Sequence, residues 1–110
     1  MTYVPWPLGF YINPRKITGF LLNKAGQKPD RAKFFLDLGF DPQHPGVLEH
    51  ALFMHTSLGN YQGYIEVVDS SRIYFRGSLL TPKGPAQNVQ SIWQLQYTDP
   101  TRVATFITAI

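Results

Sequence analysis

The sequence predicts an α+β fold, with two to three N-terminal helices packed on one face of a four-stranded antiparallel sheet. Apolar residues recur at helical spacing as far as about Leu58, and four short segments rich in Val, Ile, Tyr, Phe and Thr follow. No connection between those four segments is long enough for a crossover helix, so they run as an antiparallel meander. The 110 residues suit one α+β domain, 13–110, preceded by an extended arm, 1–12.

The arm carries Pro5, Pro7 and Gly9 among aromatic residues, a composition that extends and turns rather than coils. "NPRKITGFLLN" then opens a helix with Asn13 as N-cap and Pro14 at the first position, and Ile17, Phe20 and Leu21 supply its apolar side. "KAGQKP" is a loop. A second helix starts from Asp30 as cap, shows Ala32, Phe35, Leu36 and Leu38 on one side, and stops at Gly39. A third runs from about Pro45 to Leu58 and is closed by Gly59 and Asn60. The strands are "YQGYIEVVD", "RIYFRGSLL", "VQSIWQLQY" and "RVATFITAI", separated by turns at "SS", "TPKGPAQN" and "TDPT".

Composition narrows the classes of function. The apolar fraction of 44% and aromatic fraction of 15% imply a core built on rings, and the charged fraction of only 15% leaves part of the surface neutral or apolar. Such a surface favours self-association or a partner. The absence of cysteine excludes disulfides, thiolate zinc sites and thiol catalysis. No run approaches the roughly eighteen apolar residues of a membrane span, and the N-terminus lacks a basic-then-apolar leader, so a cytoplasmic location with no membrane partner is expected. A net charge of +3 is compatible with RNA without demanding it.

The stretch "LEHALFMHTS" holds the chemistry-bearing candidates of the third helix. Val47, Leu48, Ala51, Leu52, Met54 and Leu58 fall in one broad arc, with His55 near its middle and His50 at its polar edge. His55 therefore faces the sheet. It is a satisfied core histidine, bonded to a carbonyl or a tyrosine hydroxyl, or a general base at the rim of a cleft, or else simply exposed. His50 and His55 point about 140° apart, which is unsuited to a shared metal, and neither a metal nor a cofactor is called for. No phosphate loop, paired carboxylates or nucleophile elbow occurs.

In order along the chain, "INPRKITGFLLN", "RAKFFLDLGF", "LEHALFMH", "IYFRGSLLTPKG", "SIWQLQ" and "RVATF" resemble the landmarks of a family of small bacterial domains. That family is common in cyanobacteria and is labelled only as a domain of unknown function. Its members look like "I…KL..YLLN", "GR.KA..F..LGF", "L…L..H", "Y.V.G.L..P.GR", "VW.I" and "R.VT.Y". The resemblance covers Ile12 to Phe106. Its helices-then-strands order is similar to that of the barnase, endoribonuclease-U, colicin and RelE group of metal-independent RNases and toxins. By that resemblance His55 would be the acid or base, Lys16 and Arg31 would hold phosphate, and Thr105 would position it. Trp93 matches the strand tryptophan and is expected in the core. Gly84-Pro85 stands where the family often has Gly-Arg, and Ile107 where it has a terminal Tyr, which removes groups such an activity would use.

Two readings result. One is a non-catalytic protein-interaction module that forms a homodimer or binds a small partner protein, by pairing sheet edges or burying Trp6 in a neighbour. The alternative is a metal-independent RNase or RNase-derived toxin domain acting through His55, Arg31, Lys16 and Thr105. Whether the chain is an enzyme stays open at this point.

Overall fold

Asn13 opens the first helical segment: its side-chain oxygen accepts from the Arg15 amide at 3.0 Å, and Pro14 supplies a preset φ at the first position. The computed structural model describes residues 6–110. In it α1 (Pro14–Lys16) passes directly into a π-type turn over Ile17–Leu21, closed by the Leu22 amide on the Ile17 carbonyl at 2.9 Å. Thr18 and Gly19 are weak helix formers, and the wider turn brings Ile17, Leu21 and Leu22 all into the core.

The second helix, α2 (Pro29–Asp37), corrects the expected cap. Lys28 precedes the helix, and Asp30 lies exposed in its first turn. A proline at the first position sets the start, whatever the capping pattern one residue later. Its end follows expectation. Gly39 takes φ 98, its amide returns to the Leu36 carbonyl at 3.0 Å and that of Phe40 to Phe35 at 3.4 Å, the paired closure a left-handed glycine permits. The third helix, α3 (Pro45–His55), stops short of Leu58, and a 3-10 turn over Leu58–Asn60 leads into the sheet.

The α+β class stands, but the sheet has five strands and is mixed rather than four-stranded and antiparallel. Strands β2 (Tyr61–Val67), β3 (Ser70–Thr81), β4 (Gly84–Gln96) and β5 (Val103–Ala109) form the expected meander. A further strand, β1 (Gly9–Tyr11), pairs in parallel with β5 and gives the order β1-β5-β4-β3-β2. Residues 9–11 of the arm thus supply an edge strand. The crossover that a parallel pair requires is here most of the chain. The first five residues of the arm lie outside the described residues.

The hairpin of β3 and β4 is longer than its composition indicates. "SS" lies inside β3, the turn before it being Val68–Asp69, and "TPKGPAQN" contributes only Pro82–Lys83 to a turn. Pro82 suits the second position of that turn and Gly84, at φ 104, its exit. At about 3.3 Å per residue the thirteen residues of β4 make a strand of about 40 Å.

Packing is organised by rings. Trp93, fully buried, lies edge-on to Phe10 and Phe106 at 5.2 Å each, with Phe53 of α3 tilted over it at 6.2 Å. Leu48, Ala51, Leu52 and His55 are the buried side of α3, whereas Val47, Met54 and Leu58, placed by the pattern in the same arc, are exposed. A helix lying on a sheet buries a narrower stripe than that arc assumed. No helix among the described residues is long and apolar enough to cross a membrane.

Candidate functional site

The His55 imidazole is enclosed at 1% exposure, at the C-terminal end of α3 over β3 and β4. Its Nε2 lies 3.3 Å from the Gly77 carbonyl and its Nδ1 2.8 Å from Ser91 Oγ, which also accepts from Trp93 Nε1 at 3.0 Å. The proton positions follow from the partners. A carbonyl only accepts, so Nε2 carries the hydrogen; Nδ1 is then an acceptor, and the Ser91 hydroxyl donates to it. In this arrangement the neutral ring uses both nitrogens and the serine oxygen serves two partners. Burial pushes the imidazole below its ordinary value of 6.5, with the carbonyls of Gly77 and Val89 pulling the other way.

Neighbouring backbone is shaped to this ring. Asn60 donates through Nδ2 to the His55 carbonyl at 3.1 Å, tying down the end of α3. Gly77 lets that side chain pass, since a Cβ there would stand 2.1 Å from Asn60 Oδ1.

Lys16 and Arg31 meet elsewhere, on Phe20. The Lys16 Nζ lies 5.3 Å from the centroid of that ring and the Arg31 guanidinium carbon 5.8 Å from it. Arg31 Nη1 donates to Thr108 Oγ1 at 2.6 Å, while its buried Nε has no acceptor. Thr105 lies exposed on β5, opposite Gln94 and Tyr11, in neither place. Among the described residues no hydrogen bond, ion pair or ring contact joins His55 to Lys16, Arg31 or Thr105. Trp93 is in the core, as its type and strand position indicated.

Sequence reasoning placed Asn60 at the close of the third helix, as its bond to the His55 carbonyl bears out, but missed the site roles of Ser91, Gly77, Phe20 and Thr108. The pairing of β4 with β3 and β5 brings Ser91 opposite Phe75 and Ala109, a register no local pattern displays. For Phe20 a signal existed: Lys16 and Phe20 are four apart, the spacing at which helical side chains touch.

Beside α3 an apolar groove of about 610 Å³ runs between the helix and the tip of the β3–β4 hairpin, lined by Val47, His50, Ala51, Leu80 and Pro82. Val47, Leu80 and Met54 are exposed at 49%, 64% and 64%, which marks this face as apolar and uncovered among the described residues. No group of three or more His, Asp or Glu side chains among the described residues converges as metal ligands would.

No curated protein and no solved structure matches the chain significantly. Residues 9–110 match the family DUF6883, a domain of unknown function, and the protein belongs to that family.

Proposed function

We propose that this domain is a non-catalytic interaction module that pairs with a second copy of itself through α3 and the tip of the β3–β4 hairpin. The observation that carries the reading is the groove with its rim. Val47, His50, Ala51 and Met54 follow each other at i, i+3, i+4 and i+7, the spacing by which a helix presents one face to another, and Leu80 stands across from them. No Asp, Glu, Lys or Arg lines the groove. A two-fold pairing would set this surface against itself without opposing like charges.

The RNase reading needs an imidazole that reaches a ribose hydroxyl, beside cations on the phosphate. What weighs against it is that His55 is enclosed and bonded on both nitrogens, and that Lys16 and Arg31 are grouped around Phe20 instead.

Light scattering on a concentration series tests the proposal. The wild type is expected to be dimeric at micromolar concentration, and Leu80→Glu to be a folded monomer with an unchanged circular dichroism spectrum. A wild type that stays monomeric throughout overturns it. So does cleavage of total tRNA in EDTA by wild type that is absent in Arg31→Gln, which would install the RNase reading in its place.

A further inference from the structure

The charges of the sheet are segregated by face. Alternation along β3 turns Ile73 and Phe75 into the core and Arg72, Tyr74 and Arg76 to the opposite face, where both arginines are exposed and the tyrosine is half-buried. Register extends that face across the neighbouring strands. Ile65, Arg72 and Gln94 stand in one row, Gly63, Tyr74 and Ile92 in the next, and Arg76 opposite Gln90 in a third. Among the described residues the five strands hold a single acidic residue, Glu66. Its register partner is Ser71, one position off the Arg72 row and so on the other face. Arg72 and Arg76 are the sole cations of the same strands. The open face of these strands therefore carries two positive charges and no negative one, and neither arginine belongs to an ion pair.

The polar groups on this face hold the arginines without neutralising them. Arg72 Nε donates to Gln94 Oε1 at 3.4 Å. Arg76 donates through Nη1 to the Asn88 carbonyl at 3.2 Å and through Nη2 to Gln90 Oε1 at 2.5 Å. Each contact draws a guanidinium across the sheet onto β4, and each glutamine keeps an NH2 group to donate elsewhere. Four residues apart on one strand, the two cations are about 13 Å apart along it at about 3.3 Å per residue. Between them in sequence is Tyr74, beside an open recess of about 370 Å³ lined by Gly63, Ile65, Tyr74, Arg76 and Gln90. Gly63 keeps that recess clear: its φ of 127 suits glycine, and a Cβ there would meet nothing within 4 Å.

We infer that this face binds single-stranded nucleic acid, with Arg72 and Arg76 on phosphates and an unpaired base against Tyr74 in the adjoining recess. A sheet face that offers an aromatic ring, amide donors and spaced cations together matches a chain that alternates planar bases with phosphates. An acidic polypeptide would meet the cations and leave the ring and the recess unused. A duplex would do the same, since its bases are stacked on one another. The contacts are to phosphates and base faces, so either sugar is accepted. The inference rests neither on the α3 groove, which shares no residue with this recess, nor on His55, Lys16, Arg31 or Thr105.

Fluorescence anisotropy of labelled oligothymidylate and oligouridylate of about twelve nucleotides, titrated with the full chain over a series of salt concentrations, is the test. Both are expected to bind saturably and alike. Log K should fall against log salt with a slope of about −1.4, the value for two phosphate contacts on a single strand. Arg72→Gln and Arg76→Gln, at exposed positions, should each reduce the magnitude of that slope by about 0.7. Tyr74→Ala should weaken binding at least about tenfold at an unchanged slope, and Tyr74→Phe should preserve it. If Tyr74→Ala does not fold, ¹⁵N shifts of the wild type decide: the amides of Arg72–Arg76 and Gln90–Gln94 should move and those of α3 should not. Binding that never saturates, equal affinity for a duplex of the same length, or a slope unchanged in both arginine variants overturns the inference. Equal affinity for polyglutamate also overturns it and reassigns the face to acidic proteins.

Discussion

His55 shows how one residue's surroundings decide between chemistry and structure. An exposed imidazole shares its protons with water; here the Gly77 carbonyl and the Ser91 hydroxyl fix the neutral tautomer from both sides, and Trp93 completes the chain. Removing the link is therefore expected to cost more than its own bond. Ser91→Ala leaves Nδ1 of His55 and Nε1 of Trp93 without partners in the core, at roughly 1–3 kcal/mol for each orphaned group, read by chemical denaturation. The same enclosure sets a pH dependence. The folded imidazole titrates below 6.5 and the unfolded one near it, so between the two values the unfolded chain binds more protons. Stability is then fully present above about pH 7 and declines as pH falls through the window below 6.5. Denaturation midpoints from about pH 8 to about pH 5 should show this decline in wild type. Its His55 share should vanish in His55→Gln. An identical slope in both proteins would remove the assignment.

The elements divide by how far their determinants lie apart in sequence. The cap at Asn13, the stop at Gly39 and the Val-, Ile-, Tyr-, Phe- and Thr-rich composition of β2 to β5 are local features of the sequence, and these were legible. The inward direction of His55 was legible for the same reason, since helical spacing alone sets it. What escaped depends on distant partners. β1 is three residues long and becomes a strand only by lying on Val103–Thr105, far along the chain. The extended hairpin was hidden because Pro82, Gly84, Pro85 and Asn88 have loop composition, while the register takes up the irregularity as a bulge between Gly77 and Leu79. Lys16 and Arg31 were on the candidate list, but the ring joining them was not. Gly77 offers a test at this scale. Gly77→Ala drives a methyl into Asn60 Oδ1, and Asn60 cannot withdraw without releasing the end of α3. A loss of about 1–3 kcal/mol is expected. In an Asn60→Gly background the same substitution should cost much less, so the two changes should be strongly non-additive in a double-mutant cycle read by thermal or urea unfolding.

At the scale of the molecule, the arm ties together strands that the sheet order separates. β1 and β2 are the two edges of the order β1-β5-β4-β3-β2, yet Trp6, just ahead of β1, meets Tyr61 of β2 and Phe75 of β3 edge-on at 5.9 Å each. Phe10 of β1 extends the same chain of rings to Phe75 and Trp93 at 6.0 and 5.2 Å. Trp6 thus packs its ring within its own chain, against Phe10, Tyr61 and Phe75. The rings also offset a weakness of the sheet. A three-residue parallel strand holds few backbone bonds, so its stability comes from side chains on the covered face. Trp6→Ala is accordingly expected to destabilise the fold by about 1–3 kcal/mol, less than the loss of a fully buried tryptophan because Trp6 is only half-buried. The distribution of that loss is the sharper test. Hydrogen exchange should speed up at both edges, in Gly9–Tyr11 and in Tyr61–Val67, while Ile73 and Trp93 in the middle of the sheet keep their protection until global unfolding. If the amides of β2 are unaffected while those of β1 open, the rings would pack without coupling the edges, and the arm would be no more than a local appendage.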